Sequence, residues 1–246
     1  MEVHHHSHTE RKKWTHYFWE FFMLFLAVTA GFFVENQREH YIEHLREKQY
    51  MRSLVNDLKE DIKILDEQIS KHISRNRQMD TLISLLKNKI APEQNNNIYY
   101  FGRIASRNDI FNYNNRTIDQ MRNSGAFRLV RNQEISNLIM SYYGKIKSLE
   151  MLEGIEQKEG EEYRKMAIRV FDPEVFNSMV NEQDNIIMPL NNNPSLRTSD
   201  PNLLTDIAGW VQYMKSSRTG LANQKAELKK IAEQLITLIT QEFHLK

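Results

Sequence analysis

Apolar and polar residues are arranged along this chain in three patterns, and each predicts a different element. The first is a nearly continuous apolar run, YFWEFFMLFLAVTAGFFV over Tyr17 to Val34, with a single charge at Glu20. Fifteen of its 18 residues are apolar and eight are aromatic. Counted from Trp14 or Tyr17, a helix here covers about 27 to 31 Å, which matches a bilayer core of about 30 Å. The second is a heptad repeat: Met51, Leu58, Leu65, His72, Met79 and Leu86 alternate with Val55, Ile62, Ile69, Asn76, Ile83 and Ile90. Ten of these twelve seam positions are apolar, and no Gly or Pro occurs from Glu35 to Ile90. One long helix in a coiled coil or bundle is expected. Leu54, Leu82 and Leu85 widen the stripe, so the helix should face more than one neighbour. His72 and Asn76, adjacent in the seam, read as a buried polar layer that sets register or oligomeric state.

The third pattern is helical stripes punctuated by turn residues. The run Ala91 to Asn97 predicts a loop, followed by helices through Ile104 and over Asn114 to Asn123, with Asn123-Ser124-Gly125 as a stop. Asn132 caps a helix beginning at Gln133, with Glu134 in its first turn. Its stripe runs Ile135, Leu138, Tyr142, Ile146, Leu149, Leu152, Tyr163, Met166 and Val170, and Gly144, Gly154 and Gly160 weaken it enough to expect a bend or break. Asp172-Pro173 starts another helix, and residues 188–201 form a loop. The last helix starts at Asp200-Pro201 and reaches Phe243, with Leu204, Ile207, Val211, Met214, Leu221, Leu228, Ile231, Leu235, Leu238 and Ile239 on one face. The first and last long helices can pack antiparallel. The expected fold is all-α: an N-terminal transmembrane helix continuing into a long heptad-patterned helix, packed in an elongated antiparallel helical bundle.

A transmembrane reading divides the chain into a cytoplasmic tail (1–16), a span (17–34) and an exported bundle (35–246). Trp14, Tyr17 and Trp19 fit an interfacial aromatic belt, and Phe22, Phe25 and Phe33 complete the anchor. Val28-Thr29-Ala30 resembles a signal-peptide cleavage site only weakly, because the apolar run continues to Val34 without interruption. Glu20 sits within a turn of the basic end, in reach of Lys13 or His16. Arg11, Lys12 and Lys13 precede the span while mixed charge follows it, which puts the N-terminus in the cytoplasm and the bulk of the chain in the periplasm of a diderm cell.

Charge and composition narrow the function classes. Lys and Arg number 33 against 32 Asp and Glu, and this balance argues against nucleic acid, whose binding needs a basic stripe. With no Cys, thiolate chemistry and Cys-based zinc sites are excluded. His40-Tyr41-Ile42-Glu43-His44 matches the H-x-x-E-H pattern of inverted zinc peptidases, where two His one turn apart hold zinc and the Glu is the base. No third ligand is evident downstream, so His40 and His44 are weak metal candidates. His4, His5, His6 and His8 form a tract able to bind metal loosely. Glu150, Glu153, Glu156, Glu159, Glu161 and Glu162 crowd one segment, and the expectation is a solvated acidic face. Asn108, Asn112, Tyr113, Asn114, Asn115 and Arg116 are polar and aromatic enough to line a contact. No phosphate loop, nucleophile elbow or dinucleotide fingerprint is present, so no cofactor is expected.

REKQYMRSLVNDLKEDI and TIDQMRNSGAFRLVRNQEISNLIMSYY, placed after a short basic tail and an aromatic span, resemble a group of uncharacterised single-pass membrane proteins of Bacteroidota. Asn123, Ser124, Gly125, Phe127, Leu129, Val130, Asn132, Tyr142 and Tyr143 match the pattern of small residues before a helix ending in a Tyr pair, although Asn123 and Phe127 depart from its commonest form. The resemblance covers residues 11 to 150 and implies an inner membrane and a periplasmic helical domain, with no established activity.

The expected function is therefore non-enzymatic: a membrane-anchored accessory or scaffold whose partners are lipid, other envelope proteins and, through its exposed seam, a second copy of itself. The alternatives are a ligand-sensing bundle that signals through a cytoplasmic partner and, more remotely, a zinc peptidase using His40, Glu43 and His44.

Overall fold

The computed structural model describes residues 13–88, 91–181 and 186–245. His4, His5, His6, His8, Arg11, Lys12 and Ile90, to which tail, flank and seam roles were given, lie outside them. The chain divides into two compact units, Met1–Tyr50 and Met51–Lys246. Helix α1 (Trp14–Lys87) begins in the first and ends in the second.

In the first unit, aromatic rings four residues apart stack along the helix: Trp14 on Phe18 at 6.0 Å, Phe18 on Phe22 at 6.2 Å, Phe21 on Phe25 at 6.4 Å. That is the lateral neighbour spacing of an α-helix. Among the described residues this is the one helix long and apolar enough to cross a membrane, and none of its apolar window is buried.

The second unit is all-α apart from one tiny hairpin. After α1 come a 3-10 turn (Pro92–Gln94), α2 (Asn95–Ala105), α3 (Arg116–Asn123), a second 3-10 turn (Ala126–Leu129), α4 (Gln133–Val170), α5 (Pro173–Ser178) and α6 (Pro201–Glu242). Strands β1 (Val180–Asn181) and β2 (Ile186–Ile187) pair antiparallel before the loop into α6. The caps are those the sequence announces. Asn132 accepts from the backbone N–H groups of Glu134 and Ile135, Asp172 from Glu174 and Asp200 from Asn202. Gly125 takes φ 69° just after α3, a left-handed conformation that glycine adopts freely.

Cross-helix pairs fix the directions. Asp66, Asn76 and Asp80 of α1 meet Lys229, Thr219 and Lys215 of α6, so one number rises as the other falls and the helices are antiparallel. Lys145 and Glu159 of α4 meet Glu227 and Ser217 of α6 in the same sense. Helices α1 and α4 therefore run parallel, with α6 returning between them. The descending second member of this bundle is composite: α2, an extended segment over residues 106–115, then α3.

Two expectations are corrected here. Asn95, Asn96 and Asn97 belong to α2 rather than to a loop, because a 3-10 turn at Pro92–Gln94 leads directly into the helix. Gly144, Gly154 and Gly160 do not break α4, whose buried face from Ile135 to Val170 outweighs the propensity cost of about 1 kcal/mol per glycine.

Candidate functional site

Each long helix buries one stripe spaced alternately three and four residues apart. In α4 it is Ile135, Ile139, Tyr142, Ile146, Leu149, Glu153, Glu156, Gly160, Tyr163, Ala167 and Val170. In α6 it is Leu204, Ile207, Val211, Met214, Arg218, Leu221, Lys225, Leu228, Ala232, Leu235 and Ile239. In α1 it is Met51, Leu54, Leu58, Asp61, Leu65, Gln68, His72, Met79, Leu82 and Leu86. One row of the expected seam, Met51, Leu58, Leu65, His72, Met79 and Leu86, is interior as expected, and the other row is shifted by one residue. Ile62, Ile69, Asn76 and Ile83 are only half-buried, while the preceding Asp61, Gln68 and Leu82 are interior. Val55 is buried beside Leu54. The apolar alternative looked better on paper because the true seam carries polar residues in its middle.

Of those polar positions, His72, Glu153, Glu156, Arg218 and Lys225 from all three helices converge in one layer of the bundle. Lys225 donates to Nε2 of His72, to the carbonyl of Asp109 and to Oε1 of Glu153, each at 3.2 Å, so its three protons meet three acceptors. Arg218 donates through Nε and Nη2 to Glu156 at 2.7 and 2.6 Å, and Nη2 also reaches the carbonyls of Ala105 and Arg107. Arg75 pairs with Asp109 and donates to the Arg107 carbonyl at 3.1 Å. Three cations face three carboxylates, with a histidine among them.

Burial governs the electrostatics. His72 is pushed down to about 3 by burial first and then by the positive charges of Lys225, Arg218 and Arg75. It is neutral near pH 7, and since Nε2 accepts from an ammonium, the ring proton sits on Nδ1. Burial pushes Glu156 up and Arg218 down, each opposed by the other's charge; Lys225 is lowered by burial against the pull of Glu153.

What these charges hold is the extended segment, whose backbone has no ladder to join. An unpaired buried N–H or C=O costs as much as a lost hydrogen bond, so every such group needs a side chain. Besides the carbonyls already named, Ile110 accepts from Gln68 at 3.0 Å and the Phe111 N–H donates to Glu153 at 3.0 Å. Asp61 accepts from the backbone and side-chain N–H of Asn114 and from the Tyr142 hydroxyl at 2.7 to 2.9 Å; burial nevertheless raises its carboxyl. Asp57 accepts from the N–H and hydroxyl of Thr117 at 3.2 and 2.6 Å and from Arg116, supplying from α1 the cap that α3 lacks locally. From Arg75 to Asp57, α1 rises about 27 Å. Arg107 to Thr117 covers that path at close to full extension, about 33 Å at most.

A cleft of about 420 Å³ opens beside this layer, between the extended segment and α4, with Asn108, Asp109, Glu150, Glu153, Glu156 and Arg164 among its walls. Glu153, Glu156 and Asp109 are each engaged by a cation from behind. Glu153 and Glu156 correct the expectation of a solvated acidic face: both are buried ion-pair partners, and Glu159 is half-buried against Ser217, while Glu150 and Glu161 are exposed. Their sign complements Arg218 and Lys225 on α6. The legible signal was the unbroken spacing of three and four, carried through charged positions.

The remaining candidates stand apart. The Nδ1 atoms of His40 and His44 lie 3.9 and 3.4 Å from Glu43 and Glu47, each three residues on. Among the described residues no three metal-capable side chains come together, so the H-x-x-E-H match gains no third ligand. His16 meets Glu20 at 2.9 Å, the partner expected for that charge. Trp14, Tyr17, Trp19, Phe25 and Phe33 are exposed, while Phe22 is half-covered by Phe18 and Trp19. Asn76 donates to Thr219 at the edge of the polar layer.

Fold and site define an all-α helical bundle with an ion-paired middle, preceded by an uncovered apolar helix. Comparison with protein families, with curated proteins and with solved structures finds nothing that matches the chain.

Proposed function

We propose that this chain is a single-pass inner-membrane protein whose helical bundle stands in the periplasm and docks another envelope protein as an accessory or scaffold. The observation that carries the reading is the uncovered apolar helix: Trp14, Phe21, Leu24, Phe32 and Val34 are each at least 66% exposed, and none of the apolar window is buried among the described residues. A contiguous apolar surface of that extent needs lipid or a partner. The basic flank and the resemblance to membrane proteins of Bacteroidota support the orientation. In the bundle, a polar layer that fixes register gives a rigid scaffold, which suits docking.

Two measurements test it. After carbonate washing the chain should remain with membranes, and alkaline phosphatase fused to its C-terminus should be active, as that enzyme is only after export. Release into the wash, or a well-expressed inactive fusion, defeats the anchor. Crosslinking with mass spectrometry in native membranes should join Met51–Lys246 to another envelope protein; crosslinks within the chain alone would remove the docking role. A ligand-sensing role is a second reading, favoured by the polar cleft at Asn108 and Asp109. It requires a small polar molecule to protect the amides of residues 106–115 from hydrogen exchange.

A further inference from the structure

At one end of the mid-bundle cleft of about 420 Å³ the charges on the walls do not balance. Asp109, Glu150 and Glu153 line that end. Asp109 pairs with Arg75 through Oδ2, and Glu153 pairs with Lys225 through Oε1, which also accepts from the Phe111 N–H. Glu150 is exposed at the rim and pairs with no cation among the described residues. Three carboxylates thus face two cations, and one negative charge is left over. The remaining wall charges do not supply the balance. Glu156 and Arg218 neutralise each other, and Arg164, about 21 Å further along α4 than Glu150 at the helical rise, is turned to the Ser106 carbonyl at 3.3 Å.

The acceptor atoms are presented to the cleft rather than sealed behind it. Each cation takes one oxygen of its carboxylate; the other oxygen, Oε2 of Glu153 and Oδ1 of Asp109, has no hydrogen bond among the described residues and is not closed off from solvent. Glu153 is only 8% exposed, and so deeply placed an oxygen is ordinarily paired. Beside it the wall is apolar and roomy: Ile110 is 61% exposed, and a Cβ on Gly154 would meet nothing within 4 Å. Arg75 and Lys225, standing behind the carboxylates, would repel a divalent metal ion, and among the described residues no three metal-capable side chains come together.

We propose that this end of the cleft receives a lysine side chain of the docking partner. Its ammonium donates three protons to Asp109 Oδ1, Glu150 and Glu153 Oε2, as Lys225 serves three acceptors from the other side, and its methylene stem lies over Ile110 and Gly154. The single positive charge cancels the one left over. A guanidinium is a planar fork suited to gripping one carboxylate with two bonds, and three separate carboxylates match it less well. A free diamine would bring a second charge that the walls do not balance. The inference rests on the docking role and names the group of the partner that is held.

The test uses the full chain in mild detergent and three probes, N-acetyl-lysine methylamide, its neutral Nε-acetylated analogue and butane-1,4-diamine, followed by calorimetry. The lysine probe should bind saturably and the neutral analogue about tenfold or more weaker, the change expected for loss of a charge-assisted contact. E150Q, at an exposed position, should weaken the lysine probe by a similar factor and leave the neutral analogue unchanged. G154L should abolish binding by filling the cleft while helical circular dichroism and thermal stability are kept, since leucine favours a helix more than glycine does. Equal affinity for the charged and neutral probes, no saturable binding of the lysine probe, or full affinity in E150Q overturns the proposal. Tighter binding of the diamine would overturn the assignment to a partner's lysine in favour of a free amine. Because the probe replaces the partner, binding can fail while crosslinks in native membranes persist, and the reverse.

Discussion

Arg218 and His72 show how single residues in the polar layer act on the whole bundle. Arg218 is fully buried and serves Glu156 together with the carbonyls of Ala105 and Arg107. Replacing it by Met strands a buried carboxylate, and breaking such a pair costs about 3 to 5 kcal/mol. Urea unfolding should show that loss, with part of it recovered in E156Q/R218M, since the two effects are not additive. His72 governs acid sensitivity. Its folded value of about 3 lies below the 6.5 of an unfolded histidine, so between these pH values the unfolded chain binds more protons. Stability from this group is present above the upper value and is lost as pH falls towards the lower one. Glu156 and Asp61, raised by burial, work in the opposite sense over the acidic part of that window. The measure is therefore the difference between the protein and H72Q, which keeps an acceptor for Lys225. Its stability should fall less steeply with acid, by up to about 1.4 kcal/mol per pH unit.

Elements in this bundle are joined at points where one residue of one element completes another. Gly102 of α2 lies under the Phe171 ring at the end of α4, and a Cβ there would stand 2.4 Å from Phe171 Cζ. G102A should cost about 1 to 3 kcal/mol by overpacking, and F171L should relieve it. The cap that Asp57 supplies to α3 has a local signature. D57A should destabilise by about 1 to 2 kcal/mol and speed amide exchange at Thr117, while the Asn132-capped amides of Glu134 and Ile135 keep their protection. Helix starts at Asn132, Asp172 and Asp200 were legible because a cap acts on its own next few residues. The cap of α3 was not, because its acceptor is 60 residues away.

As a whole, the molecule pairs an apolar helical segment that is exposed among the described residues with a bundle that has its own core. Met79, Ile98, Tyr163, Phe171, Ile207 and Met214 belong to one apolar cluster on the α2 side of the polar layer. A fragment beginning at Met51 should therefore stay soluble without detergent and unfold cooperatively, whereas the full chain should sediment when detergent is removed. Sedimentation of both, or of neither, would contradict the division. Local physics determined most elements: periodicity marked the helices, capping residues their starts, and an apolar run of bilayer length the exposed segment, because each depends on neighbours within a few residues. Only the tertiary structure decided that the seam of α1 runs through Asp61 and Gln68 rather than Ile62 and Ile69, that Glu153 and Glu156 turn inward, and that residues 106–115 stay extended. The reason is that a buried charge is stable only beside its counter-charge and its hydrogen-bond partners. For this chain those partners stand on three helices distant in sequence and meet only when the bundle closes.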